Sequence, residues 1–74
     1  DPVGKARRLQ TLGLSYREAE VLLWVGEGKS NDEIGTILNI SSRTVAKHLE
    51  LIFRKIKVET RVAAALRVKE VCPG

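Results

Sequence analysis

The 74-residue sequence has little of what metal-binding, catalytic or membrane-inserted domains use. It contains one cysteine, Cys72, so no intrachain disulfide can form, and a reducing, cytoplasmic setting is favoured. Its one histidine, His48, has no Cys/His cluster around it, so we predict no metal ligand, no cofactor and no catalytic residue. No apolar run approaches the ~18 residues of a membrane span, and residues 1–12 lack the apolar core of a signal peptide. We therefore expect neither an enzyme nor a membrane protein.

The sequence also lacks strand-like alternation and internal proline. Its two prolines, Pro2 and Pro73, lie near the ends, and the apolar periodicity between them is helical. The fold class predicted is all-α: a compact four-helix bundle containing a helix-turn-helix, with a short extra N-terminal helix as a weaker candidate over residues 3–12. We expect residues 1–13 to be an N-terminal extension or linker, residues 14–71 to be the domain, and residues 72–74 to be a C-terminal tail.

Capping signals place the four main helices. Ser15 with Glu18, and Ser30 with Glu33, have the spacing of capping boxes. A helix from residue 31 to residue 38 should stop at Asn39, because asparagine tolerates a left-handed backbone. Ser41 and Thr60 are the expected N-caps of the third and fourth helices. About three residues separate the second helix from the third, which is the spacing of a helix-turn-helix.

Positive charge concentrates in the third helix. Residues 14–42 carry a net charge of −3, whereas residues 43–57 carry +4. On a helical projection the apolar residues fall on one side, and Arg43, Lys47, Glu50 and Arg54 fall on the opposite side. Duplex DNA admits one helix into its major groove, and such a helix must present cations to phosphates and hydrogen-bonding groups to base edges. The pattern therefore favours a DNA-binding helix.

From Leu14 to Arg67 the sequence resembles the DNA-binding domain of the LuxR-type (GerE-type) transcription regulators, as in bacterial NarL/FixJ-like response regulators and LuxR-like regulators. The stretch that carries the resemblance is LSYREAEVLLWVGEGKSNDEIGTILNISSRTVAKHLELIFRKIKVETRVAAALR. It matches in the Arg17-Glu18, Ser30-Asn31 and Thr44-Val45 pairs, and in further single positions at fixed spacing. The resemblance implies a four-helix domain whose third helix enters the major groove of double-stranded DNA and whose fourth commonly forms a dimer contact.

The resemblance also implies site residues. The base-facing positions would be Ala46, Lys47 and Glu50. Contacts to the DNA backbone would come from Ser30, Asn31, Ser42, Arg43, Thr44, His48 and Lys55. Arg54 joins this set because it falls on the charged side of the helical projection. A weak homodimer would form through Val62, Ala63, Ala65 and Leu66, and RNA polymerase is a further candidate partner.

Three residues depart from the family pattern. Ala46 stands where lysine or arginine is frequent, Glu50 where a polar or basic residue is frequent, and Gly35 where alanine is usual. Ala46 would suit a thymine methyl group, and Glu50 would accept from a cytosine amino group or else repel phosphate. The DNA target is therefore not expected to be that of better-known relatives.

Two other functions remain open at this stage. Region 4 of a sigma factor shares the capping pattern and the helix-turn-helix, although the Ala-rich fourth helix argues against it. Alternatively, the domain is a protein-interaction module that has lost DNA binding, as the acidic first two helices and Glu50 would allow. A tight fit of the fourth-helix alanines onto the first main helix is the alternative to the dimer face that the resemblance favours.

Overall fold

The computed structural model describes all residues, 1–74, as five α-helices and one short 3₁₀ helix, with no strand. The molecule measures 27 × 26 × 20 Å. The α-helices are α1 (Pro2–Leu9), α2 (Tyr16–Gly26), α3 (Asn31–Leu38), α4 (Ser42–Ile56) and α5 (Arg61–Val71). The all-α prediction is thus confirmed, including the short N-terminal helix. No helix has both the length and the apolar character needed to cross a membrane.

The predicted N-caps are present at every main helix. In the first capping box Ser15 N–H donates to Glu18 Oε1 at 2.9 Å, and Glu18 N–H donates to Ser15 Oγ at 3.1 Å. The second box, between Ser30 and Glu33, repeats both bonds. Ser41 and Thr60 cap α4 and α5 through their hydroxyl oxygens. Local hydrogen bonds therefore fix where each helix begins.

The core lies between α2 and the helices around it. Val21 and Leu22 of α2 are fully buried, and α2 contacts α1, α4 and α5. The apolar stripe predicted on α4 is buried at Val45, Leu49, Ile52 and Ile56, while Phe53 is half-buried beside it. Packing of this stripe fixes which side of α4 faces outward.

The N-terminal segment takes part in this core. Ala6 and Leu9 of α1 are buried, and α1 packs against α2 and α5. Cys72, at the end of α5, is also buried, with its Sγ 3.7 Å from the carbonyl oxygen of Lys5. The two ends of the chain therefore meet on one side of the molecule.

The turn between α3 and α4 is tight. Asn39 adopts the predicted left-handed conformation, with φ of 58°. A Cβ atom built on Gly35 would lie 2.6 Å from the carbonyl oxygen of Ile40. Glycine thus lets the turn approach the helix more closely than a side chain would without a shift. The close approach fixes the crossing of α3 and α4 and so the direction in which α4 projects.

Candidate nucleic-acid interface

The outer face of α4 carries the charged residues identified in the sequence. Arg43, Lys47, Glu50 and Arg54 are all exposed, on the side opposite the buried stripe. Arg54 Nη2 lies 3.7 Å from Glu50 Oε1, one helical turn away. Both side chains are more than 60% exposed, so this ion pair is weak and screened by salt. The face can therefore rearrange at little cost when a ligand competes for either partner.

A shallow depression lies in the middle of this face. It is lined by Arg43, Thr44, Ala46, Lys47 and Glu50. The three predicted base-facing residues are thus adjacent, and the small Ala46 forms part of a surface rimmed by charged side chains. An apolar group could contact Ala46 while Lys47 donates and Glu50 accepts at its edges.

The N-terminal end of α4 presents hydrogen-bond donors. Ser41 Oγ accepts from Thr44 N–H at 3.1 Å and lies 2.9 Å from Thr44 Oγ1. Ser42 is exposed at the first position of the helix, where backbone N–H groups have no partner within the helix. Together with the helix dipole, these groups favour an anion. His48, also predicted to contact the backbone, is only half-exposed.

The start of α3 is held by a residue that the sequence did not single out as functional. Arg61, the first residue of α5, donates from Nη1 to Asn31 Oδ1 and from Nη2 to the carbonyl oxygen of Lys29, both at 2.7 Å. The hydroxyl oxygen of Ser30, beside them, already accepts from Glu33 N–H in the capping box. Because the two partners lie 30 and 32 residues away in sequence, no local pattern could have revealed the contact.

Lys55 is engaged within the protein. Its Nζ donates to Glu18 Oε1 at 2.8 Å, and the Glu18 side chain is only 7% exposed. Burial, the largest single influence, raises the pKa of Glu18, but the hydrogen bonds from Lys55 and Ser15 and the Lys55 charge together hold that pKa below its usual value. Lys55 thus joins α4 to the start of α2. Only the Nζ hydrogens that are not bonded to Glu18 are available to a phosphate.

The predicted dimer residues divide into two groups on α5. Val62 and Leu66 are 70% and 60% exposed, while Ala63 and Ala65 are half-buried. Ala64 and Val68 instead face the core, where α5 packs on α2. The helix therefore has a tight inward fit and also an outward apolar ridge formed by Val62 and Leu66.

The remaining surface offers no catalytic constellation. The other depressions lie on the outer side of α3, between the chain ends, and beside Trp24. No group of three or more His, Cys, Asp or Glu side chains is placed to hold a metal ion. The strongest concentration of exposed donors and cations is on α4.

Comparison with known proteins decides the family. The profile of the bacterial regulatory proteins of the luxR family matches residues 12–68. The chain belongs to the LuxR family. The sigma-factor alternative is accordingly set aside.

Several named relatives of this LuxR-type domain are transcription regulators. It is 46% identical over 61 residues to the transcriptional activator protein SolR of Ralstonia solanacearum, covering 82% of the chain and 25% of SolR. It is 43% identical over 53 residues to the nitrate/nitrite response regulator protein NarP of Escherichia coli, covering 72% of the chain and 25% of NarP. It is 42% identical over 57 residues to the transcriptional regulatory protein DesR of Bacillus subtilis, covering 77% of the chain and 29% of DesR. No solved structure matches the chain.

These matches confirm the family recognised from the sequence and the expectation of a regulator instead of an enzyme. The chain spans between a quarter and a third of the length of these relatives. The likeness therefore concerns one domain of each regulator.

Proposed function

We propose that this LuxR-type domain binds double-stranded DNA in a sequence-specific manner as the output domain of a bacterial transcription regulator, with α4 in the major groove. The observation that carries the proposal is the outer face of α4, where Arg43, Lys47 and Arg54 are exposed opposite a fully packed apolar stripe. Family membership supports the same conclusion.

The dimensions suit this role. α4 has 15 residues and is therefore about 22 Å long at 1.5 Å per residue. The major groove is about 12 Å wide and accepts a single helix. The tight turn after α3 lets α4 project, while α3 lies across the backbone with Ser30 and Asn31 at its leading end. Ser42, Arg43, Thr44 and His48 would then approach phosphates from the start of α4.

Each residue of the outer face has a distinct proposed task. Lys47 donates to a base edge, Ala46 contacts a thymine methyl group, and Glu50 accepts from a cytosine amino group. Arg54 contacts a phosphate. The free-state pair between Glu50 and Arg54 keeps the arginine beside the carboxylate at 3.7 Å. On DNA this weak pair would be replaced by a phosphate contact of Arg54 and a base contact of Glu50, so both side chains would keep a hydrogen-bond partner.

We also propose that two domains bind together through α5. The ridge leaves two large apolar side chains, Val62 and Leu66, mostly exposed to water, and a self-complementary pairing of two such ridges would cover them. Ala63 and Ala65 beside the ridge would allow close approach. The ridge consists of only two side chains, so the dimer is expected to be weak and to form on DNA, with half-sites about one helical turn apart. RNA polymerase is the further partner that a transcription regulator would meet there.

The test is selection of bound duplexes from a random pool, repeated at two salt concentrations. An enriched two-part motif that persists at the higher salt is expected, and its spacing would define the dimer on DNA. Recovery of duplexes without any motif, vanishing as salt rises, would refute specific recognition, because a purely electrostatic interaction behaves in that way.

Single substitutions on α4 should separate base contacts from phosphate contacts. Lys47→Ala should lose about 1–3 kcal/mol on the selected site and change the preference at one base position. Arg54→Ala should weaken binding to all sequences alike and reduce the salt slope by about 0.9. Arg8→Ala removes a positive charge from α1 and is the matched control. Equal losses for Lys47→Ala on every sequence would show that Lys47 contacts only phosphate.

A further inference from the structure

Arg61 makes two long-range side-chain hydrogen bonds at the proposed interface. Its guanidinium bridges two acceptors, Asn31 Oδ1 and the carbonyl oxygen of Lys29, each at 2.7 Å. Lys29 lies in the turn before α3, and Asn31 is the first residue of α3. One side chain of α5 therefore fastens both the backbone and a side chain at the leading end of the helix-turn-helix.

The chemistry of the two groups fixes the orientation of the Asn31 amide. A guanidinium has N–H donors and no acceptor, so the asparagine must turn its oxygen toward Arg61. Its Nδ2 hydrogens then point away from Arg61, where they can donate to an acceptor outside the protein. Without the arginine the amide would be free to rotate and would offer its oxygen or its nitrogen equally to solvent.

We propose that Arg61 is a positioning residue for DNA binding, which acts by orienting Asn31 so that its Nδ2 donates to a phosphate. The inference rests on the proposed function, since it concerns the same interface. Arg61 itself does not need to touch DNA. The N–H donors of Arg61 are directed at Asn31 and Lys29. The positive charge that attracts DNA lies mainly on α4.

The position of Arg61 adds a second consequence. Val62, the next residue, begins the exposed ridge of α5 proposed as the dimer contact. A shift of the start of α5 on pairing would be transmitted through Arg61 to Lys29 and Asn31. Pairing through the ridge would in that case act on the two hydrogen bonds that hold Lys29 and Asn31.

The conservative variant Arg61→Lys isolates the positioning role. Lysine keeps the positive charge, but its compact ammonium cannot reproduce the planar fork that bridges two acceptors. Arg17→Lys is the matched control, because the Arg17 side chain pairs only with Glu20 of its own helix, α2, and makes no bond to another helix.

The first measurement uses the free protein and does not involve DNA. The order of the Asn31 side-chain amide, measured by NMR relaxation of its Nδ2 group, should be high in the wild type and in Arg17→Lys. In Arg61→Lys it should fall. An Asn31 amide equally ordered in all three proteins would overturn the orienting role.

The second measurement is a double-mutant cycle on the selected duplex over a range of salt concentrations. Arg61→Lys should weaken binding about threefold to tenfold with an unchanged salt slope, since the lost donor, Asn31, is neutral. In an Asn31→Ala background the same change should have no further effect. Additive losses would overturn the inference, as would a loss that Arg17→Lys reproduces.

The two measurements also separate this inference from the proposed function. If the wild type bound no duplex with specificity, the proposed function would fail and the phosphate contact of Asn31 would fail with it. If the wild type bound as expected and Arg61→Lys bound equally well, the positioning role alone would be refuted.

Discussion

Replacing Glu18 with alanine should destabilise the protein far more than the same replacement of Glu33, although both residues complete capping boxes of identical spacing. Glu18 is 5% exposed and accepts from Ser15 N–H at 2.9 Å and from Lys55 Nζ at 2.8 Å. Glu33 is exposed and accepts only from Ser30 N–H. The difference between the two variants therefore isolates what burial and the Lys55 ion pair add to a cap.

The expected magnitude follows from the three interactions that the Glu18 side chain makes. The cap bond is worth about 1 kcal/mol. A hydrogen bond to a charged group contributes about 1.5–3 kcal/mol, but the Lys55 side chain is 45% exposed and recovers water, so its share is discounted. Loss of the one methylene group that alanine lacks, Cγ, adds about 0.8 kcal/mol. Glu18→Ala should thus cost about 2–3 kcal/mol, and Glu18→Gln, which keeps an acceptor for Ser15, about 1 kcal/mol.

The assay is urea and thermal unfolding followed by circular dichroism at neutral pH. For a domain of this size 1 kcal/mol corresponds to a Tm change of about 4–8 °C, so the Glu18→Ala transition should fall by about 10–20 °C. Glu33→Ala should show a clearly smaller decrease. Similar decreases for the two variants would refute the reasoning, because the buried ion pair with Lys55 would then contribute nothing beyond the cap.

Three further predictions concern stability and assembly. Because the pKa of Glu18 is lowered in the folded state, its contribution is full above the unfolded pKa of about 4.3 and is lost as pH falls through the folded pKa. The urea midpoint should thus drop below about pH 4 in the wild type and less in Glu18→Gln. Lys57 adopts φ of 58° at the end of α4, so Lys57→Gly should raise stability by about 0.5–1 kcal/mol. The control Asn39→Gly should change little, and a loss for Lys57→Gly in urea unfolding would contradict this. Leu66→Glu should leave folding intact but abolish pairing on DNA in sedimentation; an unchanged DNA-bound dimer would exclude the α5 contact.

The sequence predicted the parts of the fold that depend on neighbouring residues. Each cap is a bond between residues three apart, so Ser15, Ser30, Ser41 and Thr60 could be identified without tertiary information. The buried stripe of α4 was predictable from helical periodicity, and the residues on the opposite side of the helix were then predicted to form its charged outer face. Asn39 was predictable because few residues other than glycine accept a left-handed backbone.

Contacts between distant segments could not be predicted in the same way. Lys55 carries the same charge as Arg54, yet the structure pairs Lys55 with the buried Glu18 of another helix and Arg54 only with the exposed Glu50 of its own helix. Helical periodicity gives the direction of a side chain about its own helix, but it does not identify the residue of another helix that the side chain will contact. Burial of Cys72 against α1 likewise depends on the two chain ends meeting. The base-facing roles of α4 rest on resemblance and direction, and only DNA binding will test them.

Three charged side chains make hydrogen bonds to another helix, and all three act on the helices of the helix-turn-helix. Lys55 fastens the last third of α4 to α2 at 2.8 Å, Arg61 fastens the start of α3 to α5, and Arg67 donates to the carbonyl oxygen of Ile56 at the end of α4, at 3.0 Å. A chain of this length has a small core that supplies only a few kcal/mol, and apolar contacts restrain rotation and sliding of helices weakly because they are non-directional. Directional bonds supply that restraint. Two of the three start from α5, so the helix that carries the proposed dimer ridge also sets the geometry of the helices proposed to contact DNA.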